Sequence, residues 1–97
     1  PMPEEPESSV ADLLAAGRLG TAIERLETKV RHRPDDFDAW LMLAEAHGRY
    51  CCNLERARDI VRRIEMNAAF NPRQIREARA KLQEWRERQP NSSVTVG

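Results

Sequence analysis

The sequence predicts an all-α chain of about five helices, arranged as antiparallel helix-turn-helix repeats stacked into an α-solenoid. Three observations lead there. Apolar residues recur at three- and four-residue steps in successive segments, as with Leu19, Ala22, Ile23, Leu26 and Val30, and again with Leu54, Ala57, Ile60, Val61 and Ile64. Capping and breaking residues separate these segments: Gly17, Pro34, Asn53 and Asn71-Pro72. Small residues, Ala22, Ala44 and Ala57, stand where paired helices would cross and a larger side chain would push the backbones apart.

In order along the chain, a first short helix starts at Ser9, whose hydroxyl can cap it with Asp12 three residues on, and turns Val10, Leu13 and Leu14 inward until Gly17 breaks it. The second runs from Leu19 to about His32 and ends at Pro34. Asp35-Asp36 can cap a third, about Phe37 to Tyr50, whose apolar face (Phe37, Trp40, Leu41, Leu43, Ala44, His47) is wide enough to be packed on two sides, with Trp40 as a buried anchor. Asn53 caps a fourth that ends near Asn67 to Ala69. Asn71 and Pro72, a cap followed by a first-turn proline, open the last helix, about Pro72 to Arg88. It sets Ile75, Ala78, Leu82 and Trp85 on one side and charges on the other, as a lid would.

Residues 1–8 are rich in Pro and Glu and read as a flexible linker, and residues 89–97 as a flexible tail, so the folded domain is expected over 9–88 and the chain as part of a larger protein. With 97 residues, 40% of them apolar and 33% charged, one small helical core is the ceiling. Little room remains for an enclosed active site. The formal net charge is zero, which argues against nucleic acid as a partner. The charges are nevertheless uneven: residues 1–53 hold six Lys and Arg against ten acids, net −4, and the remainder is net +4. Such a split could favour head-to-tail association of copies; solvated helix faces with i,i+4 pairing of Glu55 and Asp59 with Arg58, Arg62 and Arg63 account for it more simply. The basic residues of the last helix, from Arg73 to Arg88, are interspersed with Glu77, Glu84 and Glu87, the pattern of a solvated cap and not of a nucleic-acid helix.

Cys51 and Cys52 are adjacent and cannot staple distant segments, so the sequence predicts no disulfide framework and leaves the compartment open between cytoplasm and periplasm. Both are expected as small buried hydrophobes near a turn. No apolar run is long enough to insert in a membrane. A metal site from His47, Cys51, Cys52 and His32 lacks the paired short spacings of structural zinc, and the two imidazoles give no nucleophile–base–orienter set. No catalytic, cofactor-binding or metal-ligating residue is assigned, and the chain is expected not to be an enzyme.

The period of the helices carries a further reading. Trp40-x2-Leu43-Ala44-x2-His47, then Ala57-x3-Val61, with Ala22-x3-Leu26 and Pro34 one unit earlier, resembles the tetratricopeptide repeat, a unit of about 34 residues with the pattern W-x2-L-G-x2-Y, A-x3-F, P. The resemblance divides the domain into repeat one (9–34), repeat two (35–70) and a capping helix (72–88). Gly17 takes the inter-helix turn. Ala22 to Ala57 is one residue longer than the period, which places an insertion in Tyr50-Cys51-Cys52-Asn53. Pro6 stands near the first repeat's Trp position, so its first helix is truncated, and Met66 to Phe70 lengthens the last connection.

The resemblance implies a protein–protein interaction or scaffolding module, with a protein or peptide partner bound on a concave surface made by the first helix of each pair. In repeat two the outward positions are Asp38, Leu41, Glu45, Gly48 and Arg49. The family's clamp for a C-terminal carboxylate needs Lys and Asn at these places, and Leu41 and Glu45 suit a helix or extended segment bearing basic residues instead. Self-association is the alternative: two repeats are fewer than the ~3 that usually make a stable array, and another copy could supply the neighbour. Membrane-tethered bacterial proteins also carry such modules, which adds the soluble part of one to the expected settings.

Overall fold

The computed structural model describes residues 9–88, which form five α-helices and no strand. The expectations for residues 1–8 and 89–97, including the place of Pro6, lie outside the described residues. Helix α1 (Val10–Ala15) packs antiparallel on α2 (Leu19–His32), and α3 (Phe37–Glu45), continued by a π-helical turn (Ala46–Tyr50), packs on α4 (Leu54–Glu65). Helix α5 (Pro72–Arg88) lies against α4 and reaches back to α3 and the π turn. Each element otherwise packs on its neighbours in sequence, as in a solenoid.

The helix starts follow from residue type. Ser9 Oγ accepts the Asp12 amide, Asp36 Oδ1 the Ala39 amide, and Asn53 Oδ1 the Arg56 amide, each satisfying an amide that the helix itself leaves open. Asn71 goes further: its Oδ1 accepts the Gln74 amide at 2.8 Å while Gln74 Oε1 accepts the Asn71 amide at 3.1 Å, a reciprocal box. Gly17 ends the α1 turn with φ +81°, a backbone that side-chain-bearing residues seldom adopt.

Leu13, Leu14, Ala22, Leu26 and Val30 of the first pair form one core with Leu43, Ala44, Ala57, Ile60, Val61 and Ile64 of the second. The three crossing alanines have no exposed surface. Ala78 and Trp85 bury the inner side of α5, with Ile75 and Leu82 partly buried beside them.

Several expectations are corrected here. The one-residue excess between Ala22 and Ala57 is not held in the loop Tyr50–Asn53. It is taken up one turn earlier, where the Cys51 amide bonds the Ala46 carbonyl at 3.0 Å across five residues and so widens the helix. Cys51 and Cys52 are exposed, because the loop that leaves this turn swings outward with Cys52 at φ +55°. Trp40 is half-buried, with its indole N–H reaching the edge of the core to donate to the Pro34 carbonyl at 2.8 Å.

Helix α4 stops at Glu65, short of Asn67, since Asn67 is taken by the following turn: its Oδ1 accepts the Ala69 amide and its Nδ2 donates to the same Pro34 carbonyl at 2.9 Å. Phe70 of that connection is core, 6% exposed, meeting Phe37 edge-to-face with centroids 5.5 Å apart. Among the described residues the ion pairs are Glu45–Arg49, Glu65–Arg79 and Glu84–Lys81, so the pairing expected along Glu55 to Arg63 does not form.

Candidate functional site

Helix α3 has two unlike sides. One buries Ala39, Leu43 and Ala44 in the core. The other carries Asp38, Leu41, Met42 and Glu45, followed by Arg49 in the π turn. Asp38 and Arg49 are exposed, and Leu41, Met42 and Glu45 are half-buried. Arg49 Nη1 donates to Glu45 Oε2 at 3.0 Å, and its guanidinium lies 5.3 Å from the centre of the Tyr50 ring. Glu45 is thereby paired, and Asp38 is the acid of this face that carries no such partner in the helix.

Gly48 departs from the outward position the α-helical spacing assigns it. It is buried beneath α5: a Cβ there would stand 2.7 Å from Trp85 Cε3 and 3.1 Å from the Ala57 methyl. The reason is local. A π turn turns each residue through a smaller angle than an α turn, so positions after Ala46 drift out of the phase set by Asp38 and Leu41. Gly48 ends against α4 and α5, and the glycine permits a close approach of the indole that no side chain would allow.

Met42 was not singled out by the sequence, where it reads as one more apolar residue of a wide face. It lines a groove of about 780 Å³ together with Val10, Thr28, Lys29, His32 and Arg33, placed between the start of α1, the end of α2 and the middle of α3. Periodicity alone could have found it, since Met42 is one α-helical turn from Asp38.

His47 is half-buried, and its Nε2 has no protein hydrogen-bond partner. Burial holds its imidazole below the ordinary value and the nearby Arg56 charge adds to that effect, with Glu27 opposing both. Among the described residues no three of His, Cys, Asp and Glu gather as metal ligands would. No helix among them is long and apolar enough to cross a membrane.

Stacked helix pairs with a shared core, a polar cap and a mixed apolar and charged outer face define a helical-repeat protein. A protein-family model described as tetratricopeptide repeat matches residues 13–82, most of the described fold, and the chain belongs to that family. Members of the family are generally protein–protein interaction scaffolds and typically non-catalytic. No curated protein and no solved structure matches the chain.

Proposed function

We propose that the protein is a non-catalytic interaction module that holds a segment of a partner protein on the outer side of α3, at Asp38, Leu41, Glu45 and Arg49. The observation that carries this is the half-exposed pair Leu41 and Met42 on a helix whose opposite side is fully packed. An apolar strip edged by Asp38 and the Glu45–Arg49 pair accepts an amphipathic or extended segment that brings apolar residues and a basic group. Gly48, sealed by Trp85, supports the surface from beneath and takes no part in contact.

The test is a titration of the 15N-labelled protein with an amphipathic Leu/Lys peptide of about 12 residues, long enough for roughly three helical turns. Amide shifts at Leu41 and Glu45, lost in Leu41→Asp with the helical spectrum unchanged, are the expected result. Shifts elsewhere, or none, would sink the assignment.

Self-association is the second reading, motivated by the net −4 of residues 1–53 against the net +4 of the rest. Two features of the fold speak for the first reading instead. Helix α5 already closes the second repeat with Trp85 and Ala78. A head-to-tail stack would also bring the arginines of α5 towards Lys29 and Arg33 at the other end, setting like charges together.

A further inference from the structure

The first helical pair is unequal. Helix α1 has 6 residues and α2 has 14, so at ~1.5 Å per residue α1 covers roughly 9 Å of a helix about 21 Å long. The second pair is matched: α3 and its π turn hold 9 and 5 residues against 12 in α4. The end of α2 that no other described helix covers borders the groove lined by Val10, Thr28, Lys29, His32, Arg33 and Met42. Helix α1 cannot grow into it unchanged, because Ser9 has an extended backbone (φ −71°, ψ 164°) and its hydroxyl is committed to the Asp12 amide.

The chemistry of the groove differs from that of the α3 face beside it. Val10 and Met42, both half-buried, give it an apolar floor. Lys29, His32 and Arg33, all exposed, stand along its α2 side, and Glu24 is the one acid among its lining residues. Apolar contact in the middle and the Lys29 and Arg33 cations along one edge call for a ligand that is apolar on one face and acidic on another.

We infer that this groove binds a short amphipathic helix of a partner protein, about two turns long, that lays an apolar side chain on Val10 and Met42 and carboxylates against Lys29, His32 and Arg33. Such a helix completes the first pair to the length of the second. The other occupants fit less well. The chain's own residues 1–8 bring Glu4, Glu5 and Glu7 but three prolines and a single long apolar side chain, Met2. A second copy offering the outer side of α5 brings Arg73, Arg76 and Lys81 to a site that is already cationic. The groove meets the Leu41–Glu45 face at Met42 yet requires the opposite ligand charge, so the two sites stand or fall separately.

The full 15N-labelled chain is titrated with two amphipathic peptides of about 12 residues, one of Leu, Ala and Glu and one of Leu, Ala and Lys. The Glu peptide is expected to shift the amides of Val10, Lys29 and Met42, and the double variant Lys29→Glu, Arg33→Glu to weaken it about tenfold or more. An equal reversal at two exposed positions of α5, Arg73→Glu with Arg76→Glu, leaves that affinity within about twofold, since α5 does not line the groove and charges further off than about 10 Å are largely screened. The double variant alters exposed side chains only, and an unchanged thermal melt verifies its fold. No binding by the Glu peptide, equal shifts in the groove from the Lys peptide, or indifference to the charge reversal overturns the inference. Binding of the Lys peptide at Leu41 and Glu45 reads out the α3 face independently.

Discussion

Two glycines in helical backbone show how one residue type takes opposite roles. Gly20, in the first turn of α2, has nothing within 4 Å of where a Cβ would be, while Gly48 has Trp85 at 2.7 Å. Gly20→Ala is therefore expected to raise stability by about 0.4–1 kcal/mol, through a less flexible unfolded chain. Gly48→Ala gains the same preference and loses more, since α5 must shift: a net loss of about 1–2 kcal/mol, read from urea melts. Equal effects of the two changes would refute the tight seat of Trp85. His47 makes a second residue-scale prediction. Its imidazole is held below the ordinary value, so the unfolded chain takes up a proton that the folded one resists. Stability present above the ordinary imidazole range is then lost as pH falls through it towards the lowered folded value. The melting temperature should drop across that window, and His47→Gln should flatten the drop; an unchanged slope would refute it. The cap residues were legible because a hydroxyl, carboxylate or amide before an apolar period has one local task. The exposure of Cys51 and Cys52 was not, since it depends on the left-handed backbone at Cys52 and not on the usual burial of thiols.

At the scale of the element, the connections decide more than the helices. The Pro34 carbonyl accepts from both the Trp40 indole and the Asn67 amide, so the turn after α2 is tied to α3 and to the turn after α4. Phe70 drives into the core beside Phe37 and fixes where α5 begins. Phe70→Ala is expected to cost about 3–5 kcal/mol, enough to unfold a domain of this size, whereas Asn67→Ala costs only about 0.5–1.5 kcal/mol for the hydrogen bonds of a half-buried amide. Calorimetry of both variants checks the order, and the reverse ranking would refute Phe70 as a core residue. From sequence, Met66 to Phe70 reads as a stretched connection because a lone aromatic between Ala69 and Asn71 has no periodic partner to declare its side. The π turn was visible only as a surplus of one residue. The apolar pattern from Phe37 to Tyr50 fits a continuous α-helix, and nothing in it marks where the extra residue enters. That is also why Gly48 was assigned to the outer face by the resemblance together with Asp38, Leu41 and Glu45, which precede the π turn and keep the α-helical phase.

For the whole molecule, the five helices form an elongated slab of 55 × 32 × 16 Å in which, apart from α5 reaching back to α3 and the π turn, contacts are mainly between neighbours in sequence. Such a shape makes closure of the two ends the central question, and the ends are unlike. The α5 end is covered by Ala78 and Trp85 with polar residues outside, while at the α1 end no described residue covers the last turns of α2 along the groove. With one end sealed and the other cationic, the protein is expected to run as a monomer in light scattering at both low and high salt. A salt-sensitive dimer would favour the stacked reading over the partner-binding one. The repeat period and the lid-like last helix were legible because each rests on local pattern. The unequal first pair was legible only in outline, since a truncated helix can be read from Pro6 and Ser9, but the groove it leaves is a property of three helices together.

The notch at Gly48 also decides where the domain can be divided. A chain stopped after Phe70 would carry both repeats by sequence, yet it would leave bare the slot at Gly48 that the Trp85 indole fills. That slot is shaped for one large planar group, and another repeat joined at this end would have to bring its own indole to the same spot or leave a gap. Helix α5 is therefore better regarded as a plug keyed to a single socket than as a detachable cover, a socket that exists because Gly48 has a hydrogen where a methyl group would stand.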